Sequence, residues 1–176
     1  MIKTIAALGA VIVAVPLVLA AFKPDTFSVK RSASIKAPPE KIHSLINDMR
    51  VFNTWNPYNL KDPAIRGEYR GPQAGPGAIY LFSGNKDVGK GSISIIDTAP
   101  SKVTMKLDMI EPFEGHNTVE FILAPRGDAT EVTWAMHGPS PYIARVVGLF
   151  MSMDRMIGRD FEAGLSSLKA RAEASA

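Results

Sequence analysis

Acid–base and nucleophilic chemistry require titratable side chains held together, and this chain is sparing with them. It has no cysteine and only three histidines, His43, His116 and His137. The missing cysteines remove disulfides, thiolate metal sites and thiol nucleophiles together. The histidines show neither HxH nor HExxH spacing, so neither a metal nor a cofactor is expected. His116 and His137 would approach each other if their segments paired as strands; otherwise they read as a turn residue and a strand-end residue. Glu111, Glu114 and Glu120 gather around Pro112. A carboxylate facing an apolar cavity would gain the raised pKa of a general acid. The same residues also read as a mouth loop with solvated charges. Glu111, His116 and His137 are the candidates for catalysis, and they form no motif. Gly84-Asn85 with Gly89-Lys90-Gly91 lacks GxxxxGK[ST] and a following helix, so it reads as a hairpin turn. Asp154 and Asp160, beside Arg155 and Arg159, read as surface ion pairs.

The elements that must position these groups are legible from periodicity. Phe27 to Lys36 alternates as a strand. Ala37-Pro38-Pro39-Glu40 ends it and opens a helix carrying Ile42, Leu45, Ile46 and Met49. Val51, Phe52 and Trp55 indicate a second short helix, which Asn56-Pro57 stops. Turn signals then recur at strand-length spacing. Between them lie 78–83, 89–97, 103–110, 117–123 and 131–137, so five or six strands should follow as an antiparallel meander. A long helical pattern closes the chain from about Ser140 to Glu173. Ser140 suits its N-cap, and Ile143, Val146, Val147, Phe150, Met153, Ile157, Phe161, Leu165 and Leu168 recur at helical spacing. At 1.5 Å per residue this predicts roughly 50 Å of helix. Its first half, Tyr142 to Met153, is apolar nearly all round, which requires burial or a second apolar surface.

Composition separates the amino-terminal stretch from the rest. Apolar residues make up 46% of the 176 and charged residues 21%, enough for one domain with a real core. The formal charge is +3, but Lys3, Lys23, Lys30, Arg31 and Lys36 oppose only Asp25 in residues 1–36. The remaining chain has no basic excess, so nucleic acid is not an expected partner. Ile5 to Phe22 is an uninterrupted apolar or small run of about 27 Å if helical, close to a bilayer core. Residues 1–22 read as an anchor or a signal segment, 23–26 as a linker and 27–173 as the domain. The run exceeds the usual signal core, which favours an anchor. Membrane attachment or export follows, with a periplasmic location favoured.

The residues also carry a resemblance. Ser32-Ala33-Ser34-Ile35-Lys36-Ala37-Pro38-Pro39-Glu40-Lys41-Ile42, with Ile46-Asn47-Asp48, resembles the opening strand and helix of the SRPBCC or START-like superfamily. Trp55-Asn56-Pro57-Tyr58, Gly75-Pro76-Gly77-Ala78, Thr130-Glu131-Val132-Thr133-Trp134 and Asp160-Phe161-Glu162 are similar to its polyketide cyclase/dehydrase branch. The likeness runs over about residues 27–172. It implies an α+β helix-grip fold, a curved antiparallel β-sheet wrapped around a long C-terminal α-helix, preceded here by an N-terminal hydrophobic helix. His43 departs from it, standing where an apolar residue is expected.

The fold so implied would turn Trp55, Tyr58, Tyr80, Phe82, Met105, Phe113, Phe121, Trp134, Met136, Phe150 and Met153 inward. Such a set forms a packed core or a cavity wall. Tyr and Trp tips seek polar partners, and Met adapts to irregular shapes, which favours a cavity. The expected function is binding of an apolar or amphipathic small molecule, lipid-like or aromatic, with Tyr58, Tyr80 or Asn85 fixing its polar end. A cyclase or dehydratase using Glu111 or a histidine is the rival, and a tethered interaction module with a closed core is a third.

Overall fold

A computed structural model describes residues 14–174. The chain runs β1 (Thr26–Ile35), α1 (Pro39–Asn47), α2 (Met49–Phe52), α3 (Pro57–Lys61), β2 (Arg66–Arg70) and β3 (Ile79–Ser83). It continues through β4 (Lys90–Ala99), β5 (Lys102–Glu111), β6 (Gly115–Arg126), β7 (Ala129–Pro139), α4 (Tyr142–Val147) and α5 (Met153–Glu173). The seven strands form one antiparallel sheet in the order β1-β7-β6-β5-β4-β3-β2. The helix-grip expectation is met. From β2 onward consecutive strands pair, and β1 lies beside β7 with Thr26 opposite Pro139 and Ile35 opposite Thr130.

Alternation decides which face is buried. Val103 and Met105 of β5, Val119, Phe121 and Leu123 of β6, and Val132, Trp134 and Met136 of β7 all point to the concave side. α5 lays Ile157, Phe161, Leu165, Leu168 and Ala172 against them at three- and four-residue steps. Ile42 and Ile46 of α1, with Met49 and Phe52 of α2, fill the remaining side. His43 fits its apolar position by reaching across to β4, where its Nε2 lies 2.9 Å from the Thr98 hydroxyl.

Three local expectations are corrected. The second short helix ends at Phe52, before Trp55, and Asn56-Pro57 starts a further helix instead of stopping that one: the Asn56 side chain accepts from the Tyr58 N–H, and Pro57 occupies the first turn of α3. The closing helix is two helices, not one. Gly148 caps α4, its N–H reaching the Ala144 and Val146 carbonyls, and the Ser152 side chain starts α5 by accepting from the Arg155 N–H. Pro141, not Ser140, takes the N-cap position of α4. The partners of the helix acids also differ. Asp154 pairs with Arg31 of β1 at 3.0 Å, and Asp160 with Lys61 of α3 at 2.5 Å, rather than with neighbouring arginines.

Half of the amino-terminal apolar run, residues 5–13, lies outside the described residues. Residues 14–21 are helical. No helix among the described residues is long and apolar enough to cross a membrane.

Candidate ligand-binding site

The aromatic candidates divide into groups with different surroundings. In the middle of the grip, Trp134 stacks on Phe161 with centroids 4.3 Å apart and lies 4.8 Å from Phe121. Trp55 stands edge-on to Phe52, Phe121 and Trp134. These rings and Met105 are buried almost completely. At this level the interior is filled by the protein's own side chains. Gly164 makes the packing possible, since a Cβ there would come within 2.5 Å of the Trp134 ring and 2.9 Å of Pro57. The Trp55 indole N–H donates to the Leu45 carbonyl, whereas Trp134 Nε1 is buried without a partner among the described residues.

Tyr58 and Tyr80 sit beside a polar ladder. Asn56 Nδ2 donates to the side-chain oxygens of Asn53 and Asn59, Asn53 donates to the Tyr69 hydroxyl, and Asn59 to the Tyr80 hydroxyl at 3.1 Å. The three-residue spacing of Asn53, Asn56 and Asn59 is the signal that would have revealed this ladder in the sequence. Burial pushes the Tyr58 phenol well above its ordinary value, helped by the Asp160 carboxylate it hydrogen-bonds. Burial raises the Tyr80 phenol too, partly offset by the hydrogen bond from Asn59. Both hydroxyls therefore stay protonated. Phe82 packs 6.1 Å from Tyr80. Asn85 holds its turn, its side chain accepting from the Asp87 and Val88 N–H groups while its own N–H donates to Asp62.

The catalytic candidates lie elsewhere. Glu111 is exposed near the β5–β6 turn. His116 Nδ1 lies 2.6 Å from Asp108 Oδ1. Thr118 is the register partner of His137, so the two histidines are two residues apart in register. Both alternate with inward-facing neighbours and stand on the outer face of the sheet, away from the grip.

A groove of about 510 Å³ lies at one end of the grip, between the start of β1, α4 and the 148–152 hinge. Phe27, Ala144, Leu149, Phe150, Met151 and Met153 supply apolar surface, and Lys23, Arg145 and Arg155 supply cations. Of the ligand-binding candidates, only Phe150 and Met153 line it. The segment leaving the apolar run is laced to α4 here. Lys23 Nζ donates to the Gly148 carbonyl at 2.6 Å, Arg145 Nη1 to the Lys23 carbonyl at 3.2 Å, and the Ser140 N–H to the Asp25 carbonyl at 2.6 Å. Arg145 Nε is buried with no partner among the described residues. Sequence reasoning missed Lys23, Phe27, Arg145 and Arg155. They come from two distant segments of the chain, and the return of β1 to β7 brings those segments together.

A clasp beside the groove fixes α5. The Arg31 guanidinium crosses Gly158, where any Cβ would overlap it, and bonds Asp154 on one side and Glu162 on the other. Those three helix positions are four residues apart, one face of α5. The Arg31 hydrogen bonds hold the Asp154 carboxyl below its usual range.

Comparisons with known proteins agree with this architecture. A family model described as polyketide cyclase / dehydrase and lipid transport matches residues 26–173. No curated protein matches the chain. Among solved structures, the di-domain ARO/CYC BexL from the BE-7585A biosynthetic pathway is similar with a TM-score of 0.61 and 16% identity, over 89% of this chain and 53% of that one. Protein CV1439 from Chromobacterium violaceum gives 0.58 and 16% over 85% of this chain and 99% of its own. Ara h 8.0201 gives 0.58 and 10% over 85% and 99%. At these identities the likeness is one of fold.

Proposed function

The chain belongs to the polyketide cyclase / dehydrase and lipid transport family, and from that premise we propose that it binds an apolar or amphipathic small molecule at the hinge end of the grip. The observation that carries this is the groove of about 510 Å³, whose lining mixes apolar side chains with three cations. Ordered water leaves apolar walls readily when a hydrocarbon or aromatic body replaces it, and a few placed polar groups then set its orientation. Arg145 suits an anionic end, because its Nε has no partner among the described residues. The proposed ligand therefore has an apolar body and a carboxylate or phosphate head. Residues 5–22 tether the domain to a membrane in this reading, with the domain on the periplasmic side.

None of Glu111, His116 and His137 lines the groove, which favours binding over a cyclase or dehydratase reaction. Native mass spectrometry of the full chain incubated with a membrane lipid extract tests the proposal. A one-to-one complex should be retained, and Leu149→Glu should abolish it. An unliganded protein under the same conditions would overturn the reading. Arg145→Gln should weaken retention of a fatty acid roughly tenfold while sparing the matching alcohol, as loss of one charged hydrogen bond predicts.

A further inference from the structure

Five aromatic or aliphatic side chains on α4 and the hinge face solvent: Tyr142 is 42% exposed, Ile143 66%, Val147 45%, Phe150 75% and Met151 55%. No residue of α4 is buried, although Tyr142–Val147 carries one charge in six residues. Ala144, Arg145 and Val146 are only half-buried, so the outward face of this apolar helix is open to a partner surface.

The described end of the apolar run lies against the same surface. The Tyr142 hydroxyl donates to the Leu17 carbonyl, and Lys23 Nζ holds the Gly148 carbonyl. Phe22 is 84% exposed there. The register places a third element at this end of the sheet. Thr26 opposite Pro139, His137 opposite Thr118 and Gly115 opposite Met109 bring the β5–β6 turn to the end where β7 stops. That turn presents Phe113, 79% exposed. The opposite end offers Pro100-Ser101 and Gly127-Asp128 instead.

We infer that the hinge end of the grip, with Ile143, Phe150 and Met151 foremost, docks into the surface of an anionic lipid bilayer. The inference rests on the tether proposed above and adds which face of the domain meets the lipid. Two observations select a bilayer over a second copy. The exposed surface continues directly into an apolar run whose length, Ile5 to Phe22, matches a hydrocarbon core. Lys23, Arg145 and Arg155 lie among the apolar residues, the pairing of cations with aromatic and aliphatic side chains that suits anionic headgroups. Docked this way, the groove opens onto the lipid, and a ligand passes between bilayer and protein without crossing water.

The chain has no cysteine, so single-site labels are unambiguous. Phe150→Cys and Asp128→Cys, each carrying an environment-sensitive fluorophore, would be prepared in the full chain and reconstituted into phosphatidylcholine–phosphatidylglycerol vesicles containing a nitroxide-labelled lipid. The label at 150 should shift to the blue and lose its emission to the nitroxide, while the label at 128 stays aqueous. Adding Ile143→Asp and Val147→Asp to the 150-labelled chain should abolish the quenching while the chain still floats with vesicles. Floating protein with both labels equally aqueous overturns docking and leaves the tether standing. A chain that does not float overturns both. A blue shift without lipid quenching that grows with protein concentration overturns docking in favour of self-association.

Discussion

The two helices that end the chain share one apolar pattern and have opposite fates. From Ile157 onward α5 buries its stripe against the sheet, with Phe161 stacked on Trp134 and Leu165 and Leu168 out of solvent. Before the hinge, α4 carries comparable apolar residues and buries none. Burial of α5 accounts for holding the grip together. Exposure on α4 marks a surface shaped for something other than this domain. Hydrophobic periodicity identifies a face without naming what covers it.

Substitutions of similar chemistry should separate the two helices. Phe161→Ala removes a ring stacked in the filled core and should cost about 3–5 kcal/mol, read by chemical denaturation. Gly164→Ala drives a methyl group toward the Trp134 ring and Pro57, and should cost about 1–3 kcal/mol. On α4, Ile143→Asp should change stability by no more than about 0.5 kcal/mol, because the side chain is already in water. A large loss from the last change would erase the contrast between the helices.

A finer contrast lies at the hinge itself, where Arg31 pins the first turns of α5. Arg31→Met should speed amide exchange across residues 153–162 and leave 165–173 slow, because Leu165, Leu168 and Ala172 remain packed. The pH dependence follows from Asp154. Its carboxyl is depressed in the folded protein by the Arg31 hydrogen bonds, so the pairing is fully present above the ordinary carboxylate pKa and is lost as pH falls through the depressed folded value. Exchange at 153–162, taken relative to the intrinsic amide rate at each pH, should be steady from neutral to mildly acidic pH and rise only below the usual carboxylate range. Exchange that rises between neutral and mildly acidic pH would mean that another group controls the clasp.

The sequence shows the sheet because its strands alternate, and α5 because its stripe is regular. β2 escaped it: Arg66–Arg70 reads RGEYR, with Tyr69 its only large apolar side chain and no residue fully buried, so no alternation marks it. The hinge escaped it because the apolar pattern runs through both helices. Gly148 and Ser152, the cap residues that divide them, were the available signals. The site was harder to read. Trp55, Phe121 and Trp134 look the same in sequence whether they line a cavity or fill one another's space, and only their mutual stacking distinguishes the two. Lys23, Phe27 and Arg145 carry no common motif, since the pairing of β1 with β7 assembles them.

The eight methionines allow both regions to be watched in one spectrum. Methyl-labelled methionine should be followed by NMR while a fatty acid is added to the full chain. Ligand binding at the hinge end predicts that Met151 and Met153 shift in a saturable way, while Met49 and Met105, buried in the core, do not. Saturable shifts at Met105 and Met136 with Met151 and Met153 unmoved would place the ligand inside the grip and contradict the hinge-end site.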